Sequence, residues 1–287
     1  MLELAKEFIH KAKEDTASGV INFLAGIKIA NILIDGILTL ESSGEATDAN
    51  VMSAARVVKE IEESIKELDE KFLSLTEWLL TGSVDFNFIS ESLLPIQCEK
   101  AGAPLKVGKM AYDTIIVPGC ETLRSSTLEK LEEFKKAGGR LIFLGEAPEL
   151  CDAVKSSRGK NLYEISEKCD FTRSAIINAL EKDKVVNLRN KNGILTDNLI
   201  YQYRQDNDCN WLFVCHSEEP FNSHIDKGRD IRITVKGEYG VLIYDTQNGN
   251  VYPAEFNHKN GNTIISQHLY GYDSVLYKLV EKGSVIS

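Results

Sequence analysis

The sequence lacks the features that mark several large functional classes. No apolar run among its 287 residues reaches the roughly 18–20 residues that a membrane-spanning helix requires. It also lacks a cluster of lysine and arginine, and a formal net charge of −10 repels phosphate backbones. We therefore expect no membrane span and no nucleic-acid partner. The charged N-terminal segment MLELAKEFIHKAKED has no signal-peptide core, which predicts a cytoplasmic protein.

Common motifs of nucleotide-binding and hydrolytic sites are missing too. The chain has no G-x-G-x-x-G, no G-K-S or G-K-T loop and no G-x-S-x-G. Its six cysteines form no C-x-x-C pair and suggest no disulfide framework, so we expect free thiols. The nearest approach to a metal-ligand set is Cys209, Cys215 and His216. Because Cys215 and His216 are adjacent on a predicted strand, their side chains point to opposite faces, and we predict neither a metal nor a cofactor.

The first third of the chain begins with helical patterning and one buried strand. Residues 1–25 are typical of a helix, and the apolar run Ile27–Ile34 is typical of a parallel strand that is covered on both faces. Asp35 ends this strand, and the polar 39–46 loop with Glu41 follows its carboxyl end.

A long helix is predicted over about residues 50–80. Its apolar stripe indicates either a partner-binding coiled-coil helix or a helix that lies on a sheet, and the α/β pattern that follows favours the second. The stripe consists of Val58, Ile61, Ile65, Leu68, Phe72, Leu75 and Leu79.

The clearest unit runs from Tyr112 to Pro148. Tyr112–Val117 and Arg140–Leu144 are typical of parallel strands, and a helix with a buried side connects them. Ser126 and Glu129 have the spacing of a capping box at its start, and Gly138 allows the left-handed conformation at its end. Short strands are also predicted at Val84–Ile89 and within Leu105–Met110, and a further helix at about 172–182.

The pattern changes after Lys184 to short strands separated by turns. The stretch from Val185 to Leu188 is predicted to be short and extended. Asn198–Gln205 and Asn210–His216 form a predicted hairpin, and Asn-Gly pairs mark later turns. Seven or so strands of this kind indicate a β-sandwich. The sequence therefore predicts an α/β domain over residues 1–183, with a flavodoxin-like or amidotransferase-like parallel sheet, and an all-β domain over 184–287.

Ligands of open parallel sheets gather at the carboxyl ends of the strands. The candidate ligand-facing residues in the loops there are Asp35, Glu41, Cys120 and Glu146. Cys120 is a candidate nucleophile only if a base or a helix N-terminus lowers its pKa, and a packed thiol is the favoured interpretation. In the β-domain, a set of aromatic residues could stack on sugars, although alternate ones are expected to pack the core. They are Tyr201, Tyr203, Trp211, Tyr252, Tyr270 and Tyr272.

Several stretches resemble the region that follows the catalytic barrel in bacterial glycoside hydrolases. The string YDTIIVPGCETLRSSTLEKLEEFKKAGGRLIFLGEAP, with VDFNFISESLL before it and YQYRQDNDCNWLFVCHSEEP after it, is similar to the amidotransferase-like domain and sandwich of family 106 α-L-rhamnosidases. In that family the catalytic glutamates lie in the barrel, upstream of everything matched here. Active amidotransferases carry a cysteine after the strand equivalent to Arg140–Leu144, where this chain has Gly145. The resemblance thus implies an inactive α/β domain.

The leading hypothesis is a non-catalytic C-terminal portion of a glycoside-hydrolase-like protein, with no activity in this chain alone. Its candidate partners are carbohydrate, a catalytic barrel and a second copy of the chain. Two alternatives stay open. One is a free-standing glycosidase or other hydrolase with its site at the carboxyl ends of the α/β strands, and the other is a protein-interaction module that uses the helix at 58–79.

Overall fold

The computed structural model describes residues 66–219, 227–245 and 247–281. The predicted helix at 1–25, the strand Ile27–Ile34 with Asp35 and Glu41, and the start of the 50–80 helix lie outside these residues. The described chain forms two compact units. Residues 66–72 and 88–176 belong to the first, and residues 73–87 and 177–281 belong to the second. Among the described helices, none combines the length and the apolar character needed to cross a membrane.

The first unit is an α/β unit built on a three-stranded parallel sheet. This unit contains residues 66–72 of helix α1, whose described part covers residues 66–81. Its elements are α2 (Leu94–Gln97), β1 (Leu105–Val107), β2 (Met110–Tyr112), β3 (Thr114–Val117), β4 (Thr122–Leu123), α3 (Ser125–Lys136), β5 (Arg140–Leu144), β6 (Leu150–Cys151), β7 (Val154–Lys155), α4 (Arg158–Glu164), β8 (Glu167–Cys169) and α5 (Arg173–Ala179). The parallel sheet has the order β3-β5-β8, and smaller sheets pair β1 with β2 and β4 with β6 and β7.

The predicted strand–helix–strand unit is confirmed. Strands β3 and β5 are parallel, and the buried side of α3 includes Leu128, Leu131 and Phe134. Gly138 has a φ of 90°, and the amides of Gly138 and Gly139 donate to the carbonyls of Lys135 and Phe134. These two bonds form the Schellman motif that ends a helix at a glycine.

The predicted capping box at the start of α3 is wrong. The N-cap position is Arg124, so Ser126 lies inside the first turn, and the N-cap makes no side-chain capping bond. Two carboxylates from elsewhere in the unit accept hydrogen bonds from backbone amides at this end of the helix. Asp152 Oδ1 accepts a hydrogen bond from the Ser125 amide at 3.0 Å, and Glu91 Oε2 accepts one from the Arg124 amide at 2.8 Å. Acidic groups also suit this end of the helix dipole.

Two strand assignments differ from the sequence-based expectation. The segment Val84–Ile89 alternates apolar and polar residues but has no ladder partner among the described residues, so it is irregular. In contrast, β8 has the unremarkable sequence EKC, yet it pairs with β5. An ion pair supports this pairing, because Arg140 Nη2 lies 2.7 Å from Glu167 Oε2.

The second unit is a β-sandwich with helical residues at its edge. A 3₁₀ turn at Glu181–Asp183 precedes strands β9 (Val186–Asn190), β10 (Leu199–Gln205), β11 (Asn210–His216), β12 (Arg229–Lys236), β13 (Tyr239–Tyr244), β14 (Val251–Pro253), β15 (Phe256–Lys259), β16 (Asn262–Leu269) and β17 (Ser274–Glu281). They form a five-stranded sheet, β10-β11-β17-β13-β14, and a four-stranded sheet, β15-β16-β12-β9. The predicted α/β plus all-β class is therefore confirmed.

The core of the sandwich follows from alternation along the strands. On β12 the side chains of Ile231, Ile233 and Val235 are buried, whereas Arg232 is exposed. They share one apolar cluster with residues of the five-stranded sheet, including the fully buried Tyr277. The predicted Asn-Gly turn joins β15 to β16, and both Asn260 and Gly261 have positive φ, as a two-residue hairpin requires.

Helix α1 ends in the second unit. Leu75 and Leu79 are buried there, which favours core packing for this part of the apolar stripe. Ser83 has a φ of 57°, a conformation that usually requires glycine, and its amide and that of Val84 donate to Leu80 and Leu79. The serine is explained by its hydroxyl, which accepts a buried hydrogen bond from the amide of Leu188 on the edge strand β9 at 3.2 Å.

We expect Ser83→Ala to lower the free energy of unfolding by about 1–3 kcal/mol, because it leaves the buried Leu188 amide without an acceptor. Ser83→Gly loses the same bond but also relieves about 1–2 kcal/mol of left-handed strain, so its cost is smaller. Urea unfolding of the full chain measures both. Ser92→Ala removes an exposed hydroxyl and serves as control. Equal losses for alanine and glycine would contradict this account of Ser83.

Candidate functional site

Two of the predicted site residues, Cys120 and Glu146, follow the carboxyl ends of parallel strands in the first unit. Cys120 lies three residues beyond β3 and is partly buried, and Glu146 lies two residues beyond β5 and is exposed. Burial, with a smaller contribution from the charge of Glu91, raises the pKa of the Cys120 thiol to about 12. A thiol with this pKa is protonated at neutral pH, so its environment does not activate it as a nucleophile.

Gly145 occupies the turn directly after β5. Its φ is +74°, and its amide donates to the carbonyl of Cys169 at 2.8 Å while its own carbonyl accepts from the Tyr163 hydroxyl. The backbone therefore makes a tight, hydrogen-bonded turn in a conformation that glycine tolerates best. The turn presents no side chain at this position.

Of the three candidate metal ligands, Cys209 lies at the opposite end of β11 from Cys215 and His216. Cys209 precedes β11 and His216 ends it, and seven residues of an extended strand span about 20 Å. In the described part of the chain, Asp206, Asp208 and Cys209 each have a potential ligand atom within 4.8 Å of those of the other two. Burial raises the pKa of Cys209, and Lys278 lies 3.9 Å from Asp208, so an internal cation already faces this group.

A cleft lies at one end of the β-sandwich. Its volume is about 570 Å³, and it is formed by the 191–198 loop, the last residue of β11, the first residues of β12 with the two residues before them, and the end of β16. Antiparallel strands bring these chain positions together, because β9, β11 and β16 end where β10 and β12 begin. The side chains around the cleft are mainly amides, carboxylates, imidazoles and cations.

One wall of the cleft is a fixed histidine–aspartate pair. His268 Nδ1 lies 2.7 Å from Asp230 Oδ1, and the two residues pair directly across β16 and β12. The hydrogen bond to Asp230 raises the pKa of His268, and the same bond lowers the pKa of Asp230. Gly228 has a φ of +65°, and a Cβ there would lie 2.3 Å from His268 Nε2. The glycine thus lets the imidazole pack directly against the backbone.

A second histidine, His216, also lines the cleft. Its Nδ1 lies 3.3 Å from the side-chain nitrogen of Asn198, which can only donate, so Nδ1 accepts and Nε2 carries the proton. Nε2 is buried and has no hydrogen-bond partner within the described residues. A buried donor without an acceptor is costly and is common where a ligand or water completes the site.

Two exposed tyrosines follow the cleft along the β16–β17 connection. Tyr270 is 51% exposed and Tyr272 is 67% exposed. The Tyr270 ring contacts the His268 ring edge-on at a centroid distance of 4.9 Å. The Asp273 carboxylate accepts a hydrogen bond from the Tyr270 amide, and the Asp273 amide donates to the Tyr270 carbonyl, so the turn is held in place.

The remaining aromatic candidates separate into packed and exposed groups. Tyr201 and Tyr203 pack against the sandwich core, and Trp211 contacts the ring of Tyr244. Tyr252 is exposed on the edge strand β14. The sequence includes Tyr270 and Tyr272 among six aromatic candidates, but it does not predict the cleft. The signal for the cleft was weak, because its residues come from positions that are as far apart as 190 and 268.

No protein-family model matches the chain, and no curated protein sequence matches it significantly. Its structural neighbours are glycoside hydrolases at low identity and partial coverage. A rhamnosidase from Novosphingobium sp. PP1Y aligns over 65% of this chain with 14% identity and a TM-score of 0.48. An exo-carrageenase GH42 from Bacteroides ovatus aligns over 74% with 12% identity and a TM-score of 0.44. An alpha-L-fucosidase from Paenibacillus thiaminolyticus aligns over 72% with 10% identity and a TM-score of 0.45. The chain spans 19%, 26% and 44% of these three proteins, respectively.

Proposed function

We propose that this chain is a non-catalytic accessory portion of a glycoside-hydrolase-like protein, and that it binds carbohydrate at the end of its β-sandwich. The observation that carries the proposal is the cleft together with the exposed Tyr270, whose ring contacts the cleft residue His268, and with the exposed Tyr272 two residues further along the same connection. We also propose a catalytic barrel as the partner that performs the chemistry, in line with the resemblance to the family 106 enzymes.

The chemistry of the cleft suits sugars. Sugar hydroxyls need closely spaced donors and acceptors, and Asn192, Asp197 and Asn198 provide amide and carboxylate groups along one loop. The apolar faces of sugar rings need an aromatic surface, and Tyr270 and Tyr272 each combine a ring face with a hydroxyl that tolerates water. A concave polar wall beside exposed aromatic rings is a suitable arrangement for an oligosaccharide end or branch.

The α/β unit supports the non-catalytic part of the proposal. At the turn where active amidotransferases carry their cysteine, Gly145 has no side chain, and the nearby Cys120 has a pKa of about 12. These two features argue against the alternative of a free-standing hydrolase with its site at these strand ends. Hydrolysis of an aryl rhamnoside or galactoside by the purified chain, abolished by Glu146→Gln, would overturn this part of the proposal.

We expect Tyr270→Ala, which removes the ring that contacts His268, to weaken binding of a cognate oligosaccharide about tenfold, which corresponds to about 1.4 kcal/mol of lost ring contact. A screen of immobilised glycans identifies the ligand, and calorimetry on the full chain then measures the dissociation constant. Tyr252→Ala is the matched control, since Tyr252 is 45% exposed but lies on β14, away from the cleft. If the two variants lose affinity equally, or if no glycan binds, the cleft is not a carbohydrate site.

A further inference from the structure

We infer that the cleft at the end of the sandwich recognises a sugar residue that bears an anionic substituent, a carboxylate or a sulfate. This inference rests on the proposed carbohydrate-binding function and names the class of ligand. The observation that supports it is that cationic side chains outnumber carboxylates around the cleft, whereas acidic residues outnumber basic ones over the whole chain.

The whole chain is acidic, with 43 Asp and Glu against 33 Lys and Arg. Around the cleft the excess is reversed. Among the residues that the structure describes, the cleft is lined by Lys191, Lys227 and Arg229 and by two carboxylates, Asp197 and Asp230. Cations gathered in a concave surface strengthen each other's field, so this cleft attracts anions although the protein as a whole repels them.

The two carboxylates are already engaged by neighbours. Asp230 receives the His268 imidazole at 2.7 Å and lies 3.7 Å from Lys191 Nζ. Asp197 lies 3.8 Å from Arg229 Nη1, in a pair whose side chains are both more than half exposed. A pair this long and exposed is weak, so the guanidinium can turn to a stronger acceptor.

Lys227 has a different position. It lines the cleft, its side chain is exposed, and in the described segments no carboxylate lies within ion-pair distance of it. Lys227 and Arg229 flank Gly228, the residue that packs against His268, so both cations are carried on a backbone that the sandwich holds in place. An anionic group at this point would gain a lysine that pairs with no carboxylate of the described segments, and a weakly paired arginine.

The neighbouring tyrosines argue that the anion is attached to a sugar. A free inorganic anion needs only the cations, whereas the exposed rings of Tyr270 and Tyr272 offer a surface that such an ion cannot use. The ring of Tyr270 contacts His268, which lines the cleft, so the aromatic and cationic surfaces are continuous. A charged sugar can occupy both at once.

The test compares charged and neutral forms of the same oligosaccharides by calorimetry on the full chain. One pair is an oligogalacturonate and its methyl ester, and the other is a sulfated galactan oligosaccharide and its desulfated form. We expect at least one charged form to bind about tenfold or more tightly than its neutral partner, with affinity that falls as salt rises. Inorganic phosphate at the same concentration is the control for a simple anion site.

The double variant Lys227→Gln/Arg229→Gln should abolish the preference for the charged form over the neutral form. Lys259→Gln removes an exposed cation beside the Asn260-Gly261 turn and should have no effect. Equal binding of charged and neutral forms overturns the inference but leaves the carbohydrate site in place. Phosphate binding as tight as that of the charged sugar overturns the sugar class, and binding of neither form overturns the inference together with the proposed function.

Discussion

Replacing Phe134 with alanine is expected to lower the free energy of unfolding by about 3–5 kcal/mol, the usual cost of emptying a buried aromatic site. Phe134 is fully buried on α3, in the core that it shares with Leu128 and Leu141. Its ring lies against Gly139, because a Cβ on that glycine would be 2.3–2.5 Å from the ring atoms. A glycine cannot fill the space that the ring leaves, so the cavity should stay open.

Chemical unfolding of the full chain measures this loss, and a second substitution tests its cause. Gly139→Ala should destabilise the protein by about 1–3 kcal/mol when the ring is present and much less in the Phe134→Ala background. Phe88→Ala is the control, since Phe88 is 59% exposed. Additive losses at positions 134 and 139 would show that the ring and the glycine are not coupled.

The second large effect is expected at Glu181. Its carboxylate accepts hydrogen bonds from Lys184, Arg189 and Asn187, each at 2.7 Å. The Lys184 side chain is only 2% exposed, so its ammonium depends on this partner. Glu181→Gln removes the charge and leaves a buried cation, and we expect a loss of about 3 kcal/mol, at the low end for broken buried pairs because Glu181 is itself 43% exposed.

The matched control is Glu164→Gln, which removes one partner of an exposed ion pair with Lys168 and should cost less than about 1 kcal/mol. The double variant Glu181→Gln/Lys184→Met should recover most of the loss, because it replaces the unpaired ammonium by an apolar side chain of similar length. If the double variant is as unstable as the single one, the buried charge of Lys184 is not the cause.

The same network predicts how stability depends on pH. Burial alone would raise the pKa of Glu181, but the bonds and charges of Lys184 and Arg189 outweigh it and lower the pKa below the ordinary value of 4.5. A carboxyl group with a lowered pKa stabilises the fold above its unfolded-state pKa, and the contribution disappears as the pH falls through the folded-state value. The stability gap between the native chain and Glu181→Gln should therefore be constant at neutral pH and narrow below about pH 4.5.

Local chemistry predicted those parts of the fold that are decided within a few residues. The left-handed glycine after α3 and the Asn260-Gly261 hairpin required only backbone preferences, and the alternation at Ile231, Ile233 and Val235 required only one buried face. Features that depend on distant partners were missed or misassigned. Ser126 had the right spacing for a cap, but the amide at Ser125 is satisfied by Asp152, 27 residues further along the chain.

The candidate site divides in the same way. Tyr270 and Tyr272 could be named as candidates from the sequence, because they lie between two predicted strands, where a turn leaves side chains exposed. The cleft could not, since His216, Gly228 and His268 meet only after strand order and register are fixed. The pKa of Cys120 depends on burial that sequence spacing does not encode, although the favoured interpretation as a packed thiol agrees with its raised value.

The second unit contains chain segments that precede and follow the 88–176 segment of the first unit, so the ribosome synthesises its parts at different times. The hydroxyl of Ser83 cannot accept its hydrogen bond until Leu188, which is translated 105 residues later, has been synthesised. At about 5–20 residues per second, that delay is about 5–20 s, during which the whole α/β segment at 88–176 emerges. The nascent chain should thus complete its first unit while the helix end at 73–87 still lacks its sheet, and a gene fragment that starts at residue 184 would encode a sandwich without that helix.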